Sequence, residues 1–229
     1  MVTPKAAFLA PEAMLIFTTF CLIGQSAPLI FNRNNPDTVG CEYSGKWVGF
    51  ICGLGLAVKV TFFPMLGLVL LVKSPRQILK ICSFALLSLL LLVAPTYKNF
   101  PRFIDWVWNI ASHSGLHGSG QGVIADPKQL LQNMYDILTW FPALYAVTFC
   151  LAVFLIYCVT RRVLHGNDMG SWSPLLTGNA ACQTLRFPMV FILIIWIQTL
   201  LVLKHPGAHY MVAVLPLAFI GLGWLFFSN

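Results

Sequence analysis

The stretch Gly53-Leu-Gly-Leu-Ala-Val-Lys59-Val-Thr-Phe-Phe-Pro64 decides how this chain is read. It lies inside an apolar run, 47–72, with Lys59 near the middle. A charge at the centre of a bilayer costs roughly 3 kcal/mol on insertion scales, so such a lysine faces a polar cavity or snorkels from a turn. Two arrangements fit the run. It is one span kinked near Pro64, or a hairpin of two short helices turning at Lys59-Val60-Thr61. The choice sets the side on which everything before Lys59 lies.

Composition around this run points to lipid. Hydrophobic residues make up 58% of the 229 and charged residues 9%, against about 25% charged in soluble domains. So short a chain has too little interior to hide that much apolar surface from water. At about 20 apolar residues per crossing, the apolar content suffices for roughly six spans. The expected fold is an all-α, polytopic integral membrane bundle, with an external amphipathic helix, formed by 1–229 as a single transmembrane domain. The remaining runs are 13–31, 81–97, 137–160, 188–203 and 208–227, and the polar stretch 32–46 reads as a loop. The chain shows no cleavable signal pattern, because Pro11 and Glu12 interrupt the apolar stretch after Lys5.

The net charge of +7 comes from positive residues at the ends of apolar segments. No polar domain interleaves basic and aromatic residues, which argues against nucleic acid as a partner. The seven cysteines include no CxxC pair and read as small buried hydrophobes. Loop 73–80 carries Lys73, Arg76 and Lys80 without an acid, and Arg161-Arg162 abuts a span. The positive-inside bias assigns 73–80 and 161–187 to the cytoplasm and 98–136 to the outside, together with the turn Lys204-His205-Pro206-Gly207.

Within 98–136, Pro101 opens a helix with Arg102, Asp105, Asn109 and His113 on one face and Phe103, Ile104, Val107, Trp108 and Ile110 on the other. That pattern predicts a helix lying along the membrane surface, with Trp106 and Trp108 at headgroup level. A second helix is expected from Asp126, with Pro127 in its first position and its apolar face running on into the next span. Between them, His113-Ser-Gly-Leu-His117-Gly-Ser-Gly-Gln-Gly122 is neither a P-loop nor a dinucleotide fingerprint. It reads as a connector or as a binding loop. The spacing of His113 and His117 admits a divalent metal, but hydrogen bonding to a substrate suits it better. Lys204, His205, His209 and Tyr210 collect phosphate-binding donors at the mouth of the last two spans.

Three cues in order carry a resemblance. They are Gly53 to Pro64, then Ala94-Pro95-Thr-Tyr97 with the helix bearing Trp108 and His113, then Lys204-His-Pro-Gly-Ala-His-Tyr-Met-Val-Ala-Val-Leu-Pro216. Over 47–227 the chain resembles the GT-C superfamily of membrane glycosyltransferases, in its protein mannosyltransferase and aminoarabinose transferase branch. The resemblance implies sugar transfer from a polyprenyl-phosphate carrier to an acceptor on the outer or lumenal face. It implies an integral, multi-pass location in a plasma, inner or endoplasmic reticulum membrane. It places Lys59, Lys204 and His209 at the carrier phosphate and His113 and the glycine loop around the outer pocket. His117, His205 and Tyr210 fall among the same substrate contacts.

The catalytic acid of that family sits in the first external loop, which here would require more chain before Ala6. Asp37 and Glu42 lie in the wrong neighbourhood, and Asp105 and Asp126 are the outer carboxylates left. The expectation is therefore the later part of such an enzyme, with a partner membrane chain supplying missing helices. The rival readings are a transporter or lipid-carrier flippase, which would call for repeated broken spans, and a non-catalytic membrane subunit.

Overall fold

A computed structural model describes residues 11–31, 39–72, 74–113, 127–164, 180–204 and 206–227. Among them every regular element is helical: α1 (Pro11–Phe31), α2 (Val39–Val58), a 3₁₀ segment (Val60–Leu71), α3 (Pro75–Val93), α4 (Phe100–Ser112), α5 (Pro127–Trp140), α6 (Pro142–Leu164), α7 (Ala180–Val202) and α8 (Leu215–Phe227). Proline opens α1, α3, α5 and α6, where its missing N–H costs nothing and its fixed φ suits the first turn. Among the described residues three helical stretches are long and apolar enough to cross a membrane: Pro75–Asn109, Pro142–Arg161 and Leu185–Val202. Ser44–Val58, Val60–Leu71 and Val212–Leu225 are apolar but shorter. These stretches mark the chain as an α-helical membrane protein.

The structure resolves the choice at Lys59 in favour of the hairpin. α2 ends at Val58, Lys59 is extended, and the chain turns back as the 3₁₀ segment. The reason lies in how α2 meets α3. Gly45 faces Gln77, Gly49 faces the Ile81 carbonyl, and Gly53 faces Ala85 and Ser88. Position numbers rise together on both helices, so α2 and α3 run parallel. Parallel neighbours need a return path between them, and Val60–Leu71 supplies it. At about 2.0 Å per residue its 12 residues reach roughly 24 Å, a depth that would take about 16 residues of α-helix.

The α2–α3 seam is built from small residues. A Cβ on Gly49 would lie 2.5 Å from the Ile81 carbonyl oxygen, and one on Gly53 would overlap Ser88 Oγ and the Ala85 carbonyl. Ser88 Oγ donates to the Phe50 carbonyl at 3.1 Å. Glycines four residues apart let two backbones approach this closely, which is the principal attraction between helices whose other faces are as apolar as lipid.

In the second half α6 and α7 pack antiparallel, and α8 runs parallel to α6, with Gly221 beside Val147 and Leu151. Tyr145 on α6 shares a hydrogen bond with Thr199 on α7 at 2.7 Å. At the middle of α6, Trp224 of α8 meets Phe154 edge-on, and it stacks on Phe187 of α7. The two halves join where Gly67 of the 3₁₀ segment abuts Ile194 of α7. Thr19 of α1 also donates to the Ala213 carbonyl at 3.1 Å. Leu15, Leu22, Phe62, Met65, Ile195 and Met211 are buried at the centre.

Several expected boundaries shift. The polar stretch read as a loop over 32–46 is helical from Val39, and that read over 161–187 is helical from Ala180. Tertiary packing of Gly45 and Ser44 recruits the first of these, with Ser44 donating to the Gln25 carbonyl. The basic stretch 73–80 is helical from Pro75. The expected continuous helix from α5 into the next span is broken at Phe141, because Pro142 has no N–H with which to continue it. The expected last span begins with two short 3₁₀ turns, Ala208–Tyr210 and Val212–Val214, before α8. Of about six expected spans, the long apolar stretches account for three. Past α7 the chain bends at Leu203 and Lys204, and where a tight turn directly into the last span was expected, two 3₁₀ turns precede α8.

Candidate functional site

α1 and α2 are antiparallel, so the first turn of α1 lies beside the end of α2. α7 ends at the same level and hands the chain to the 208–210 turn. Four side chains meet there. Lys59 Nζ lies 3.2 Å from Glu12 Oε1, with the side chains 19% and 29% exposed. It also sits 4.4 Å from the centroid of the Tyr210 ring. The His209 ring packs on Tyr210 at 4.0 Å between centroids.

The backbone holds each group in place. Lys59 N–H donates to the Gly55 carbonyl at 3.0 Å, and the Lys59 carbonyl accepts from Phe62 at 2.9 Å. The lysine is thus pinned between the end of α2 and the start of the 3₁₀ segment. Tyr210 N–H donates to Gly207 at 2.9 Å, and its carbonyl accepts from Gln198 Nε2 at 2.6 Å. A Cβ on Gly207 would press to 2.8 Å on the His209 ring and 3.0 Å on the Tyr210 ring, so a larger residue there would shift both rings.

A carboxylate, an ammonium, an imidazole and a phenol ring together can bind a phosphate and move a proton.

Of the residues singled out from sequence, the structure brings Lys59, His209 and Tyr210 together. Lys204 stands half-buried just past the end of α7, next to Leu203, whose carbonyl accepts from Asn133 of α5 at 2.8 Å. His113 ends α4 and bonds locally, to Ser112 Oγ at 2.9 Å and the Asn109 carbonyl at 3.3 Å. Asp105 is exposed on α4. His117, His205, Asp126 and the glycine-rich stretch 114–122 lie outside the described residues. Among the described residues no group of three His, Cys, Asp or Glu side chains could hold a metal ion.

Sequence reasoning missed Glu12, which read only as an interruption before the first apolar run. The available signal was an acid at the head of one apolar run and a lysine at the foot of the next. It also missed Gly45, Gly49 and Gly53, whose four-residue spacing is the pattern of close helix contact. No protein family, curated protein or solved structure matches the chain.

Proposed function

We propose that this chain is a membrane glycosyltransferase, or its carrier-binding part, acting on a polyprenyl-phosphate sugar at the outer or lumenal face. The meeting of Lys59, Glu12, His209 and Tyr210 at one end of the bundle carries this reading. Lys59 and His209 bind the carrier phosphate, with the Tyr210 ring backing the ammonium. Glu12 takes the proton from an acceptor hydroxyl. The acceptor oxygen forms its bond to the anomeric carbon as the carbon–oxygen bond to phosphate breaks. The electron pair leaves with the phosphate, whose charge Lys59 and His209 stabilise.

In this reading the site end faces outward. Arg76 and Lys80, in the first turns of α3, and Arg161, near the end of α6, lie toward the opposite end of the bundle, as the positive-inside bias requires of a cytoplasmic face. α1, α2, the 3₁₀ segment, α3, α6, α7 and α8 pass through the bilayer. α4 lies along its outer surface, and its exposed Phe103, Trp106 and Trp108 suit the headgroup boundary.

The test is polyprenyl-phosphate binding to the protein in lipid nanodiscs. The wild type should bind. Lys59→Ala should bind about thirty-fold more weakly, the cost of a charged hydrogen bond of roughly 2 kcal/mol. Absence of binding by the wild type would overturn the proposal and favour a transporter or a non-catalytic subunit.

A further inference from the structure

Along the α2–α3 seam, a Cβ on Gly45 would meet Gln77 and Ile81, and one on Gly49 would meet Ile81, Phe84 and Ala85. Ser88 Oγ donates to the Phe50 carbonyl at 3.1 Å. Parallel helices turn in the same sense. A residue that follows a seam position on one helix and a residue that precedes a seam position on the other therefore lie on the same side of the contact. On α2 the residues after Gly45 and Gly49 are Lys46 and Phe50. On α3 the residues before Gln77, Ile81, Ala85 and Ser88 are Arg76, Lys80, Phe84 and Leu87. These six border one groove. An antiparallel pair would have put the two sets on opposite sides.

The groove is graded along its length. Lys46, Arg76 and Lys80 stand at the end where both helices begin, and Phe50, Phe84 and Leu87 follow toward the middle of the bundle. Lys46, Arg76, Phe50 and Leu87 are exposed, while Lys80 and Phe84 are half-buried. Lys46 is level with Lys80, because its neighbour Gly45 lies against both Gln77 and Ile81. Cations grouped in this way repel one another, and an anion seated among them replaces repulsion by attraction. The same end of the bundle carries Arg161 and Arg162 in α6 and Arg186 in α7, against a single acid, Glu42, in its described helices.

We infer that this groove seats an anionic phospholipid of the leaflet at the end of the bundle opposite Lys59. The headgroup phosphate sits among Lys46, Arg76 and Lys80, and an acyl chain runs along Phe50, Phe84 and Leu87. Arg76 offers a planar pair of donors and the lysines offer point charges, a set suited to phosphate oxygens. Basic pockets between spanning helices on the cytoplasmic side hold anionic headgroups by this chemistry. A zwitterionic headgroup brings its own ammonium against the same cations and is disfavoured. The inference does not depend on sugar transfer, because Lys59 stands past the far end of α2.

The test titrates the full chain in neutral detergent with phosphatidylglycerol and with phosphatidylcholine of the same acyl chains, counting bound lipid by native mass spectrometry. The wild type should prefer phosphatidylglycerol. Lys46→Gln and Arg76→Gln each should weaken that binding about fivefold, the effect of one cation near a headgroup, and leave phosphatidylcholine binding unchanged. Both side chains are exposed, and size-exclusion profiles check that the variants stay folded. Arg161→Gln removes the same charge from the same end on a different helix and should change nothing, as should Lys59→Ala. Equal binding of the two lipids by the wild type overturns the inference. So does an Arg161→Gln effect as large as that of Lys46→Gln, which would mark a diffuse surface charge and no seat. Loss of polyprenyl-phosphate binding in Lys46→Gln, with phosphatidylglycerol binding kept, would overturn it as well by giving the groove to the carrier.

Discussion

Glu12→Gln is expected to lower sugar transfer by about 10²–10⁴-fold, the usual contribution of a positioned general base, while carrier binding is kept or tightened. Glutamine has nearly the shape of glutamate but cannot accept the acceptor's proton. Its amide also releases Lys59 from an ion pair that lies at 3.2 Å, so a phosphate no longer competes with a carboxylate for the same ammonium. The paired readout gives the prediction its force. A purely structural role for Glu12 would lower binding and transfer together. Transfer that persists at the wild-type rate would remove Glu12 from the chemistry and return attention to Asp105 and Asp126.

Gly53→Val should abolish recovery of folded protein, or lower its thermal stability by many degrees in detergent. The Cβ alone would overlap Ser88 Oγ and the backbone of α3. Backbone cannot step aside as a side-chain tip can, so the cost exceeds the roughly 1–3 kcal/mol of ordinary overpacking. Gly24→Ala is the matched control. It is also helical, but nothing lies within 4 Å of its would-be Cβ, so the higher helix propensity of alanine should leave stability equal or slightly raised. Size-exclusion profiles and unfolding midpoints of both variants check the contrast. A monodisperse, wild-type-like Gly53→Val protein would refute the parallel α2–α3 seam.

The two predictions rest on features of unequal legibility. The apolar runs and Pro127 at the head of α5 could be read directly, because length, hydropathy and the geometry of proline are local properties. Lys59 stood out because a charge in an apolar run needs a reason. Its partner Glu12 did not, since nothing local joins position 12 to position 59. The polar residues of 39–46 were misread for a related cause. Their helical state depends on α1 and α3, which Ser44 and Gly45 touch, and not on their own propensity.

Composition and hydropathy alone were enough to read an α-helical membrane protein, to locate its longest apolar stretches and to single out the lysine that interrupts one run. Long-range packing settled that the lysine marks a turn, that α2 and α3 run parallel, and that Glu12, Lys59, His209 and Tyr210 meet. The physical reason is the solvent. A helix that dissolves in lipid is apolar on every side, so its pattern does not say which face packs or which neighbour it meets. Small residues and a few polar pairs make that choice, and they act only once distant segments have come together.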